Sequence, residues 1–398
     1  MSSRLSRMQC GGRCHRREIS VLDSNRWLSG LLGGKPRNVA SDGGRCFGFA
    51  EQSPPEFCRA TAKQIHRRRP GLNDDLTALT LRLDETRSSS VDIEYRGSLI
   101  ALGAALHNAR VAAAHRHILG DTVITGDGKA TSARITFTAG TDISLTDQLP
   151  GMLHRGTHRG MSDPGLPPCD PTDLAHLAAR LSSPTAAVHL IQDRDTITRL
   201  AENISATDRL RFLTDALHRE MISELRWPHS GGLSSGIEVS SLGTPTAELA
   251  ALELLRRHDV MEQLNNWNTG QALRAQTRTR LASSDAVAVI TQQGICAADY
   301  IRSGARAEEF WIRAQTLGYS LHPLTPVSLY ATNADHLRAL APSRAGELAV
   351  LSDELTALTA RRPGEHATLI LRIGSISLTV FRRISISKFP IPANDRRT

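Results

Sequence analysis

Long hydrophobic runs are missing: nowhere in the 398 residues do about 18 apolar residues follow one another, the length a helix needs to cross a bilayer. The N-terminus also lacks the apolar core of a secretory signal. Neither a membrane span nor export is indicated, and the expectation is a cytoplasmic protein with no membrane partner. Metal-ligand spacing is equally scarce. Cys10-Gly-Gly-Arg-Cys14-His15 has three residues between its cysteines and no second Cys/His pair at finger distance, so unpaired thiols are expected rather than a metal site.

The charge is uneven. The chain carries a net +8, but residues 1–70 hold 14 Lys and Arg against 5 Asp and Glu, leaving the rest close to neutral. The part with globular texture therefore has no overall electrostatic reason to seek phosphate backbones. The basic stretch itself has little of the aromatic interleaving that nucleic-acid binding uses, so no nucleic-acid partner is expected. It contains four of the six cysteines (Cys10, Cys14, Cys46, Cys58) and no sustained period. Residues 1–70 are expected to be a disordered leader.

From about residue 76 the pattern changes. "LTALTLRLD" alternates Leu79, Leu81 and Leu83 on one face and predicts a half-buried strand. "GSLIALGAALHNARVAAAH" is Ala-rich and apolar nearly all round, which suits a buried helix. "SARITFTAG" alternates again. Helical patterns occupy about 172–182, 194–225 and 246–264, with a strand at the centre of "SSPTAAVHLIQD" and a loop at "RWPHSGGLSSG". "SSDAVAVITQQG" is a continuous apolar run ending in glycine, as expected of a strand buried on both faces. The fold class read from this order is α+β.

One internal similarity stands out. Gly103-Ala104 aligns with Gly304-Ala305, setting "GAALHNARVAA" over "GARAEEFWIRA", and each helix feeds a strand, "DTVI" or "YSLHPL". An offset of about 200 residues predicts two related lobes. In that case the helices at about 98–115 and 304–317 lie side by side and are both largely buried.

Together, "RGSLIALGAALHNARVAAA", "EMISELRWP" and "SGARAEEFWIRAQTLGYSLHPLTPVSLYA" resemble the nitroreductase-like FMN flavoproteins, in particular the fused MoeY-type or Acg-type branch. The resemblance covers about residues 76–384. It implies a nitroreductase-like fold in which two lobes of one chain correspond to a nitroreductase dimer. The matching divisions are a remnant of the first lobe at 71–142, the second lobe at 143–384 and a tail at 385–398. It further implies FMN as cofactor, NAD(P)H as reductant and a small-molecule electron acceptor such as a nitro compound or quinone. MoeY-type proteins often carry a ThiF-like, E1-type domain, so a ThiF-like partner is implied as well.

Carried over residue by residue, the family's phosphate motif Arg-x-Ser/Thr-x-Arg/Lys falls on Arg155, Thr157 and Arg159. Its backbone corner against the flavin falls on Pro323-Leu324-Thr325-Pro326, where Thr325 can offer an N–H and Pro326 has none. Its C-terminal basic residues fall on Arg382 and Arg383. The Ser-x-x-Asn-Gln-Pro turn that opens the family's first lobe has no counterpart ahead of "LTALTLRLD". That departure keeps open a second class, a subunit that has the fold and binds a small molecule or protein without redox turnover. No catalytic side chain is assigned. His107, His154, His158 and His322 are candidate proton donors, against the plainer reading as structural or surface histidines.

Overall fold

The computed structural model describes residues 60–61, 65–67, 76–84, 88–163, 165–227, 236–359 and 362–375. Most of the expected leader, the 385–398 tail and the Cys10–Cys14 cluster lie outside the described residues. The architecture is α+β: antiparallel sheets with helices packed on their faces.

The first sheet is built from β1 (Ala60–Thr61), β2 (Ile65–Arg67), β3 (Leu76–Leu83), β4 (Leu119–Thr125) and β5 (Ser132–Phe137). The β1 and β2 segments both pair with β3, and β5 lies between β3 and β4. These two short strands fall inside the stretch read as leader, so paired structure starts ahead of residue 70. Helix α1 (Arg96–His115) connects β3 to β4. It buries 16 of its 20 residues, which leaves it no polar face and requires cover on opposite sides. The Asp92 carboxylate satisfies its opening turn, accepting from Gly97 N–H at 2.7 Å and Ser98 N–H at 3.3 Å.

Two short helices follow, α2 (Ile143–Thr146) and α3 (Leu149–His154), then α4 (Pro171–Leu181) and β6 (Ala186–Ile191). The 194–225 pattern forms two helices, α5 (Arg194–Leu213) and α6 (Asp215–Ser223). Thr214 breaks them with extended backbone, φ −95° and ψ 109°, and Asp215 starts the second run favourably for the helix dipole. After the small parallel pair β7 (Leu225–Arg226) and β8 (Ile237–Glu238), the 246–264 pattern likewise divides, into α7 (Thr246–Leu255) and α8 (His258–Asn266). Arg257 is extended between them, at φ −75° and ψ 123°. Periodicity finds the apolar face but not a one-residue break in it.

The chain continues through α9 (Ala275–Ala282), β9 (Ala286–Gln292), α10 (Ala297–Thr316), β10 (Tyr319–Leu324), α11 (Ala334–Leu340), α12 (Ala345–Thr359) and β11 (His366–Ser375). All seven residues of β9 are buried because it is central, antiparallel to β6 on one side and β11 on the other. The second sheet runs β6-β9-β11-β10. Chain order and strand order match those of the first sheet: an edge strand, a second strand, a helix, an outer strand, then a strand inserted between the second and the outer.

Helices α1 and α10 pack against each other, both largely buried. Their crossing is set by two glycines. A Cβ on Gly103 would stand 2.0 Å from the Ile301 carbonyl oxygen, and one on Gly304 would stand 2.0 Å from that of Ile100. Each glycine therefore faces the residue three positions before the other, a self-complementary contact of the kind a two-fold axis produces. Around it lies the main core, with Leu99, Leu102, Phe310 and Trp311 from the helices and Ile135, Ile290 and Leu371 from the two sheets. A second core fills the outer face of the second sheet, where Val287, Val289 and Ile370 meet Leu200 and Ile204 of α5 and Leu355 of α12.

Candidate functional site

Helix α10 ends where the sequence suggested. Leu317 caps it and Gly318 follows at φ +94°, a left-handed C-terminal position that glycine takes without a Cβ penalty. The chain then enters β10 directly. His158 N–H donates to the Leu321 carbonyl at 3.0 Å, and Thr157 forms a parallel bridge with Leu321. Residues 157–158 therefore lie at the outer edge of β10. Carbonyls and N–H groups alternate sides in an antiparallel strand, so the Pro323 carbonyl faces that same edge, and Thr325 follows just past the strand's end. The bridge is isolated, and Pro323 has no N–H with which to extend it. Arg159, two residues on, is buried, with its backbone near Gly243 and its charge felt at His322. Pro326 adds no donor.

Arg155 is held elsewhere. Its Nε lies 2.9 Å from Glu308 Oε1 in an ion pair whose side chains are 4% and 0% exposed, and its guanidinium stacks 4.5 Å from the Trp311 ring. Asn108 Nδ2 donates to the same Glu308 oxygen at 2.9 Å, so α1, α10 and the start of the segment share one buried polar knot. Burial pushes the Glu308 carboxyl up, against the pull of Arg155 and Asn108. Gln315 completes the anchorage, accepting from Gly156 N–H and donating to the His154 carbonyl, each at 3.1 Å. The structure thus pairs Thr157 with Leu321, two residues ahead of Pro323, brings the Arg159 charge near His322 and draws Arg155 into the helix interface. Arg382 and Arg383 lie outside the described residues.

Two residues that sequence reasoning passed over stand next to this edge. Arg372 of β11 is the cross-strand partner of His322, and it is buried. Its guanidinium donates to the Arg280 carbonyl at 2.8 Å, to the His158 carbonyl at 3.2 Å and to the Gly160 carbonyl, tying β11 to α9 and to the 155–160 segment. Arg280 in turn donates to the Gly243 carbonyl at 3.0 Å. Burial, with Arg280 nearby, brings the Arg372 guanidinium down to about 10. His322 is driven well below the usual histidine range, first by burial and then by the charges of Arg372, Arg159, Arg280 and His158. The sequence did hold a signal for Arg372, the only charge in the apolar run "LILRIG".

The candidate histidines divide. His107 is buried in α1, bonded through Nε2 to Gln148 Oε1 at 2.8 Å, and His154 donates from Nδ1 to the Pro150 carbonyl at 2.7 Å. Only His158 and His322 belong to the β10 edge. His107, His158, His218 and His322 all have lowered affinity for a proton, with burial the first cause. Such groups take up a proton more readily unfolded than folded, so the stability they give is present above about pH 6.5 and is lost as pH falls through it. Urea midpoints are expected to drop on going from about pH 7.5 to 5.5, with a shallower drop in His322→Gln. Midpoints unchanged over that range would contradict the buried placement of these rings. Asp92 and Glu308, whose carboxyls are raised, act in the opposite direction at lower pH.

No family model matches the chain. Over 300 residues, 74% of its length, it is 37% identical to an uncharacterized protein of Mycobacterium tuberculosis, and it spans about two fifths (41%) of that relative. Among solved structures it is similar to an FMN-bound nitroreductase of Bacteroides fragilis, with TM-score 0.32 and 10% identity over 64% of this chain and 98% of that one. A BluB-like flavoprotein from Clostridium difficile gives 0.30 and 11%, over 64% and 94%. An FMN- and NADPH-dependent nitroreductase from a Sphigopyxis strain gives 0.30 and 13%, over 62% and 93%.

Proposed function

We propose that the chain is a nitroreductase-type FMN oxidoreductase in which two related lobes, meeting at the Gly103/Gly304 crossing, correspond to the two halves of a nitroreductase dimer. The two sheets of matching strand order support the lobes. The observation that carries the functional reading is the pairing of Thr157 with Leu321, which sets the Arg-x-Thr-x-Arg segment at the edge of the strand that leads into the Pro323-Thr325 corner. That edge offers an FMN a cation for its phosphate and a backbone donor for its ring. The charges of Arg159, Arg280 and Arg372 all bear on His322 beside this edge, a setting that suits an anionic group. When bound, the flavin supplies the redox chemistry, accepting hydride from NAD(P)H and reducing a nitro compound, quinone or similar acceptor. The chain's own part is to bind and orient: Arg159 holds the anionic end, Thr325 offers its N–H, and Arg372 keeps the 155–160 segment against the strand.

The test is a titration with FMN followed by absorbance and calorimetry. A charge-assisted phosphate contact contributes roughly 1.5–3 kcal/mol, so Arg159→Ala is expected to weaken binding roughly 10- to 150-fold. A protein that purifies colourless and gives no heat with FMN removes the enzyme reading. A second reading then takes its place, a subunit that has the fold and binds a small molecule or a protein partner, such as a ThiF-like one, without turnover. Pro326, which withdraws one donor, and Arg155, already committed to Glu308, favour that reading.

A further inference from the structure

On the outer side of β10 and β11, basic groups gather with no carboxylate ion-paired to them among the described residues. Arg372 and His322 come from adjacent strands, Arg280 from α9 and His158 from the edge segment, so four separate stretches of chain converge. Among the described residues no ion pair joins Arg280, Arg372 or His322 to a carboxylate. Glu248 is felt at Arg280 only through its charge. Arg372 is 4% exposed, and its Nε is buried with no acceptor; the Nδ1 of His322 is likewise buried and unmatched. The carbonyls of Arg280, His158 and Gly160 take up the other nitrogens of Arg372 but carry no full charge to offset it. Gathering two guanidinium groups in a place shielded from water costs free energy unless an anion is present. His158, Arg280 and His322 are only partly buried, which leaves the cluster open to solvent on one side.

We propose that Arg280, Arg372, His158 and His322 form a phosphate-binding pocket, with Arg372 as its floor and Arg280 and the two imidazoles as its rim. The ligand chemistry is a compact phosphate, free or at the end of an ester. Arg372 can add its unmatched Nε–H, His322 its unmatched Nδ1, and Arg280 further N–H donors, to the oxygens of such a group. The cluster itself carries this inference; the flavin reading enters only in the choice of one probe.

The experiment uses the full chain and three probes: inorganic phosphate, FMN and riboflavin. Calorimetry and thermal melting with phosphate are compared with chloride at matched ionic strength. Saturable binding of phosphate and a rise in melting temperature beyond the chloride control are expected. Arg280→Gln and His322→Gln should each weaken the phosphate response roughly tenfold or more. Arg372→Gln should abolish it, and the two rim variants keep the test decisive if the floor variant fails to fold. Equal responses to phosphate and chloride, or rim variants that bind phosphate as well as the parent, would overturn the proposal. FMN binding at least tenfold tighter than riboflavin, with the preference lost in Arg280→Gln, supports the pocket and identifies its phosphate as that of the flavin. Phosphate binding that FMN does not displace also supports the pocket, and removes this edge as the flavin's anchor. A shared loss of FMN and riboflavin binding with phosphate binding intact counts against the flavin reading alone.

Discussion

Replacing Arg155 with methionine is expected to lower the stability of the ligand-free protein by about 3–5 kcal/mol, because Glu308 would then be a buried carboxylate with its cation removed. Glu308 is fully buried, and Asn108 gives it a neutral donor that cannot replace the charge. The double change Arg155→Met with Glu308→Leu should recover most of the loss, since neither charge remains to be desolvated. Urea unfolding without flavin measures both. If Arg155→Met leaves the midpoint unchanged and weakens only FMN binding, Arg155 is a phosphate ligand as the sequence motif suggested, and its pairing with Glu308 has little weight in the fold.

The helix crossing gives the second large effect. Gly304→Ala places a methyl group where the Ile100 carbonyl oxygen already stands, 2.0 Å from the new carbon. A backbone atom cannot rotate away as a side chain can, so α1 and α10 must separate and loosen the core around Phe310 and Trp311. The expected cost is about 3 kcal/mol. Gly103→Ala should cost a similar amount for the reciprocal reason. The pair together should cost clearly less than the sum, because one separation of the helices relieves both contacts. Strict additivity in denaturant would mean that the two glycines do not share a crossing.

Much of this scaffold was legible because its strands and buried helices carry strong one-dimensional patterns. The alternation at Leu79, Leu81 and Leu83, the apolar run at 286–292 and the Ala-rich helix around Gly103 each appear as the element they predict. The helices broken at Thr214 and Arg257 were not, since each break changes one residue's backbone and leaves the apolar spacing intact. The site was legible only in part. The motif Arg-x-Thr-x-Arg gives its two arginines equal standing, and nothing local distinguishes Arg155, taken by Glu308 about 150 positions later, from Arg159 at the strand edge. Arg280 was hidden in "TRTR", where it looks like a solvated helical face. Its position beside Arg372 depends on how α9 packs against β11, a long-range fact that no short window contains.

The crossing of α1 and α10 also has a consequence in time. Helix α1 has no polar face, yet the helix that covers it is encoded about two hundred residues later. At about 5–20 residues per second, a growing chain leaves the α1 surface without that cover for roughly 10–40 s. During synthesis this half-finished surface is a natural target for chaperones or for α1 of a neighbouring nascent chain, and slowing translation between residues 116 and 296 should lower the yield of folded protein.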